Sequence, residues 1–416
     1  MLSRPDRSLR WDVLEQHVDE ACFLWTQWQA ALDSPTQVMS EVAEGPEQRL
    51  RAHLDAIVAG GRRVAERLLK PALEGEDEER IRVAGYCLLA EGEGADVDLV
   101  LRHFAEAGEP LRPCLRQALQ LSERPGLSRA LHPLLGTSDV PLLRAVLEVH
   151  GFRRTHPGPV LQGLISTASA QLRAAALQSA RHWPLEVESA VVLRALSSSE
   201  PQEHLAALSV GLVLDHAGAW STCTRSIGDS GPIGELSRLA LACRGEARDV
   251  EALRQLLVVP ALRRDALWAL GFSGRKVAAE DSLHWMNDAV HAGVAAEAFC
   301  AITGLALAGP LTKARDEEID LAEDLPPSLD EKLPLPVPDA VDAWWSQERK
   351  NFQRDGRYLN GKVHSRERLV EAFESTSMRR RHVLALELAY RSRGNQQVET
   401  RDFSHMQRRQ LQQMRH

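Results

Sequence analysis

Aromatic side chains are scarce in this sequence: Phe, Trp and Tyr together supply 5% of its 416 residues. A sandwich or barrel draws on Tyr, Val, Ile and Thr, whereas the 44% hydrophobic content here rests mainly on Leu and Ala, which lose least on entering a helix. Paired cysteines are missing as well. Cys22, Cys87, Cys114, Cys223, Cys243 and Cys300 are scattered without a CxxC, which argues against a zinc ribbon or a disulfide framework and for small buried hydrophobes in a reducing compartment. No stretch approaches the ~20 uninterrupted apolar residues that span a bilayer. The opening MLSRPDRSLRWDVLEQHVDEA puts acids and a histidine where an export signal needs an apolar core, so the expected location is cytoplasmic, with no membrane partner.

Charge of one sign is also lacking overall. The 58 acidic and 50 basic residues leave a formal net charge of −8 and mostly alternate, as on a solvated surface, so nucleic acid is not the expected partner of the whole chain. Catalytic signatures are missing: there is no HExxH, GxxxxGK[ST], GxSxG or strand-borne GxGxxG, and GFSG at Gly271 to Gly274 reads as a helix-ending turn. The 15 histidines fall singly, never at the i, i+4 spacing that sets two imidazoles on one helical face, so no metal, cofactor or catalytic residue is assigned. Glu76, Asp77, Glu78 and Glu79 read as the first turn of a helix, where carboxylates meet the positive end of the dipole.

What is present is a repeat. From about residue 78 one phrase returns roughly every 30 residues, as EERIRVAGYCLLAEG, EPLRPCLRQALQLSE, VPLLRAVLEVHGF, AQLRAAALQSARHW, QEHLAALSVGLVLDH, GELSRLALACRGE, ALRRDALWALGFSG and VAAEAFCAITGLAL, the length of a helix, a turn and a second helix. Small and apolar residues recur at the helical period, as in Leu262, Ala266 and Ala269. Gly and Pro close the units at hairpin distance: Pro125 with Gly126, Pro184, Pro201, Gly231 with Pro232, Pro260, Gly271 with Gly274. The fold class expected is all-α, a HEAT-like solenoid of helical hairpins over residues 76–310. An N-terminal helical cap over 1–75 covers its end, with one helix from Trp11 and a second over roughly Pro46 to Leu73.

Between 311 and 340 the composition turns acidic with five prolines in DEEIDLAEDLPPSLDEKLPLPVPD, which predicts a linker or strap. Residues 341–416 form a basic region with helices expected at Val341 to Arg354, Ser365 to Glu374, Met378 to Arg391 and Thr400 to Gln413. Ser365 is a good N-cap for the second. Arg379, Arg380 and Arg381 are the one clear charge asymmetry, open either to a partner or to the chain's own acidic strap at Asp316 to Asp324. Trp183, Trp220, Trp268 and Trp285, with His182, are the further candidates for partner contact, because hot spots favour Trp and Arg. The same tryptophans admit an alternative reading as a HEAT-repeat DNA-binding enzyme of the DNA glycosylase kind, though such an enzyme needs a strongly basic face. A general scaffold is the other alternative.

Three phrases go beyond a generic repeat. EQHVDEACFLWTQWQAAL and RLRAHLDAIVAGG near the start, and WWSQERKNFQRDGRYLNGK with RRRHVLALELAYRS and TRDFSHMQRRQL near the end, resemble a proteobacterial family of HEAT-like proteins found in genomes rich in type VI secretion genes. The resemblance implies a non-catalytic protein-binding role beside a secreted toxin, either an immunity protein that covers a cognate effector or an adaptor or chaperone that loads it.

Overall fold

A computed structural model describes residues 9–167, 169–314 and 328–414. The described chain is all-α and solenoid-like, with two short antiparallel strand pairs, 312–313 with 335–336 and 358–359 with 362–363. No described helix is long and apolar enough to cross a membrane. The described residues form two compact units: the first takes in 9–32, 40–167, 169–186 and 401–407, and the second 33–39, 187–314, 328–400 and 408–414.

In the first unit α1 (Trp11–Ala31) buries Leu14, Val18, Ala21, Leu24, Trp25 and Trp28 against α2 (Gln48–Ala59) and α3 (Glu78–Glu91). The single helix expected over Pro46 to Leu73 is instead broken, because Gly61 takes a left-handed φ of 63°. π-Helical turns lie on either side of this break, at Ala43–Glu47 and Ala65–Leu69, the first of them containing Pro46, which has no N–H to donate. Asp77 caps α3 by accepting from the Arg80 amide at 2.9 Å, so the acidic run is indeed a helix start. Beyond it, α3, α4 (Gly94–Glu106), α5 (Leu111–Leu121), α6 (Val140–Phe152) and α7 (Ala170–Ala180) follow. α3 packs on α5, α5 on α6, and α6 on α7. Between these partners the chain passes through α4, Leu127–Leu131 and Val160–Ile165 in turn, so every second helix joins the row, which is how hairpins bury a shared core. Residues 401–407 complete this unit: Phe403 is fully buried, 4.8 Å from the Trp28 ring, and the Glu47 carboxylate accepts from the Ser404 amide at 2.9 Å and hydroxyl at 2.8 Å.

In the second unit α8 (Pro201–Val213), α9 (Pro232–Arg244), α10 (Pro260–Ser273) and α12 (Ala292–Thr303) form the row, with α11 (Lys276–Trp285) packed outside α12. Helices in this row approach closely. A Cβ on Gly271 would lie 2.9 Å from the Ala298 Cα, so only glycine fits there. α9, α10 and α12 end on left-handed glycines, Gly245, Gly274 and Gly304, and GFSG is thus a helix end. α13 (Pro338–Glu348), α14 (Arg366–Ser375) and α15 (Met378–Arg391) follow, α14 capped by Ser365, which accepts from the Arg368 amide at 3.2 Å. The hairpin at Tyr358–Val363 turns on Asn360 and Gly361, both at positive φ, the strongest short-range hairpin signal a sequence carries. Its Asn360 and Gly361 amides donate to the Ala301 and Ile302 carbonyls at the end of α12. Residues 33–39 join this unit through His382, whose ring lies 3.1 Å from Asp33 Oδ1 and 2.7 Å from the buried Thr400 hydroxyl.

Candidate protein-docking edge

The turns that precede α10 and α12 carry two of the most exposed hydrophobic side chains among the described residues, Val258 at 77% and Val290 at 83%. Both sit on braced backbone. Val259 donates to the Leu256 carbonyl at 3.0 Å, and Pro260 opens α10 directly afterwards. The Asp288 carboxylate accepts from the Val290 and His291 amides, both at 3.0 Å, and from the His291 ring at 2.8 Å. That ring bond, with the two amides, holds the Asp288 carboxyl below its ordinary range against the opposing effect of burial.

Trp285, at the end of α11, links the two turns. The Arg263 guanidinium lies 4.2 Å from its ring centre, the His291 ring is 6.1 Å away edge-on, and Arg263 Nε donates to the Leu257 carbonyl at 2.8 Å. Among the described residues no carboxylate forms an ion pair with Arg263, in contrast to its neighbour Arg264, which holds Asp330. A half-buried tryptophan under an arginine without an anionic partner, between two rigid exposed valines, is the composition of a protein-binding hot spot.

The other candidates are placed differently. Arg379, Arg380 and Arg381 are only 7%, 4% and 0% exposed, so the triplet is not a basic face for a partner or for phosphate. Arg379 holds Glu297 of α12 and Asp330; Asp316 to Asp324 lie outside the described residues. Arg380 stacks 3.9 Å from the Phe272 ring centre and 5.1 Å from Trp268, and donates to the Gly271 carbonyl at 3.0 Å. Burial pushes its guanidinium down to about 10, and among the described residues its Nη1 has no hydrogen-bond partner. Arg381 reaches the Met39 and Met378 sulfurs at 3.1 and 3.3 Å. Trp268 is thereby covered by Arg379 and Arg380, and Trp220 packs edge-on to Tyr390 of α15 and under Arg244. In the second unit the row's surface beside α8 and α9 is therefore occupied by α15. Because Arg380 is charged, buried and incompletely bonded, Arg380→Met is expected to leave stability unchanged or raise it by about 1–2 kcal/mol, read as the urea midpoint.

In the first unit His182 meets Arg154, and Trp183 lies 5.0 Å from the His156 ring. His156 accepts from the Gly158 amide at Nδ1, which leaves Nε2 to donate to Glu186 at 2.9 Å. Leu185, two residues beyond Trp183, is 82% exposed, repeating the pairing of a ring with a bare aliphatic side chain.

Sequence reasoning missed the charged knot under α15. Glu387, 2% exposed, accepts from Arg357 Nη1 and Arg391 Nε, both at 2.6 Å, with His364 Nε2 at 2.9 Å. Burial opposes its charge, but Arg357 and His364 outweigh that and hold the carboxyl well below the usual carboxylate range. The two arginines also neutralise the carbonyl ends of row helices: Arg357 donates to the Ser273 and Phe272 carbonyls at 3.0 and 2.9 Å, and Arg391 to the Cys243 carbonyl at 3.0 Å.

No known protein family and no curated protein matches the chain. Among solved structures, an engineered protein is 17% identical, with a TM-score of 0.30, over 69% of this chain and 89% of its own. The Escherichia coli protein YibA is 11% identical, with a TM-score of 0.30, over 72% of this chain and 99% of its own. At these scores neither bears on fold or function.

Proposed function

We propose that this chain is a non-catalytic protein-binding module whose docking point is the Val258–Trp285–Val290 edge. The observation that carries the reading is the conjunction there of two rigid, almost bare valines with a tryptophan stacked under an arginine that pairs with no carboxylate among the described residues. The complementary surface is an apolar patch bordered by a carboxylate. The class of partner, a type VI secretion effector that the chain neutralises as an immunity protein or loads as an adaptor or chaperone, rests on the resemblance of the two termini.

Burying a valine fully is worth about 1.5–3 kcal/mol and a Trp hot spot about 2–4 kcal/mol. Val290→Asp with Trp285→Ala is therefore expected to weaken the complex at least about 100-fold while far-UV circular dichroism and the urea midpoint stay close to the parent. The measurement is calorimetric titration of the purified chain with the product of the neighbouring toxin-like gene. An unchanged Kd in the double variant removes this edge as the docking point, and absence of any complex with that product removes the effector assignment.

A further inference from the structure

α1 and α2 bring together two histidines that lie 36 residues apart in the chain. His17 Nδ1 and His53 Nδ1 stand 3.0 Å from each other, with ring centres 4.9 Å apart and planes crossed at 69°. Both rings are only part-buried, so a solute can reach them. One ring donates its N–H to the other ring's Nδ1, so an ion bound by both nitrogens takes the place of that proton, which is released.

We infer that His17 and His53 form a two-imidazole clip for a divalent transition-metal ion, one that joins α1 to α2 across the first unit's helical end. Imidazole nitrogens bind such ions at about 2.0–2.1 Å. Two nitrogens held 3.0 Å apart then subtend about 91–97° at the metal, whereas a tetrahedral ion at that bond length needs them about 3.3 Å apart. A near-right angle is the bite of tetragonal Cu(II) or octahedral Ni(II), not of tetrahedral Zn(II). Among the described residues no group of three or more His, Cys, Asp and Glu is arranged to hold an ion. The clip therefore supplies two ligands, and water fills the remaining positions. No single-helix spacing could reveal the site, because each helix contributes one histidine.

The test uses the tag-free full chain, stripped with chelator and titrated with Cu(II), Ni(II) and Zn(II) separately. One equivalent of Cu(II) with a two-nitrogen imidazole pattern in electron paramagnetic resonance is expected, with Ni(II) bound more tightly than Zn(II) and a higher melting temperature in the loaded protein. His53→Gln and, separately, His17→Gln are each expected to weaken Cu(II) at least about tenfold and to abolish the melting shift. Far-UV circular dichroism identifies a variant that has not folded, and the other then supplies the comparison. The inference is overturned by parental Cu(II) affinity in both folded variants, by a one-imidazole pattern in the parent, or by Zn(II) binding more tightly than Ni(II). None of these outcomes involves the Val258–Trp285–Val290 edge.

Discussion

Glu387→Gln is expected to cost about 3–5 kcal/mol of stability, the largest loss from a single substitution in the second unit. The carboxylate accepts from Arg357 and Arg391 and faces His364 Nε2 at 2.9 Å, so its neutralisation leaves the largely buried charge of Arg357 without a counterion. The parent also carries a pH signature. A carboxyl whose folded pKa lies below its ordinary value of 4.5 contributes stability that is present above that value and lost as pH falls through the folded pKa. The parent's urea midpoint should therefore drop steeply below about pH 4.5, and the variant's, already low at neutral pH, should drop less. A variant within 1 kcal/mol of the parent at pH 7 would show that the knot contributes little.

Trp28→Ala is expected to cost about 3–5 kcal/mol in the first unit. Trp28 is fully buried, packs edge-on to Trp25, touches Phe403, and donates from Nε1 to Glu47 Oε2 at 3.2 Å. The truncation opens a cavity between α1 and residues 401–407 and removes one of the donors that satisfy a carboxylate 3% exposed. Trp28→Phe keeps most of the ring and gives up the donor, so a smaller loss of about 1–3 kcal/mol is expected. Chemical denaturation of both variants, followed by circular dichroism, orders the effects. An alanine variant no less stable than the phenylalanine one would mean that the ring's volume is not what holds 401–407.

The helical rows were legible in the sequence because Leu and Ala at the helical period, closed by Gly or Pro, admit few other structures. Leu262, Ala266 and Ala269 are all buried in α10, as their spacing predicts. The sequence left the Arg379–Arg381 triplet open between a partner and the chain's own acidic segment, for a reason that also lies in the sequence. Three consecutive residues sweep about 200° around a helix, so they share no single face, and a helix that also carries Val383, Leu384 and Leu388 must turn some of them inward. Glu297 and Asp330, the anions that receive Arg379, are 82 and 49 residues away, beyond any local pattern. Asn360-Gly361 was a usable signal, and the hairpin it forms sets Arg357 against the ends of α10. The exposed edge was half legible. Trp285 stood out, but whether Val258 and Val290 face solvent depends on how the turns leave the row, which periodicity does not encode.

The division of the chain into units bears on the order in which it is made. The first unit needs Phe403 and Ser404 to close over Trp28 and Glu47, so most of its residues leave the ribosome long before their last partners exist. The second needs residues 33–39, made early and held until Arg381 and His382 emerge. Neither half can mature one domain at a time during synthesis. Both await nearly the full length and form contacts of long sequence separation, which slows folding and lengthens the interval in which nascent Leu- and Ala-rich surfaces depend on chaperones.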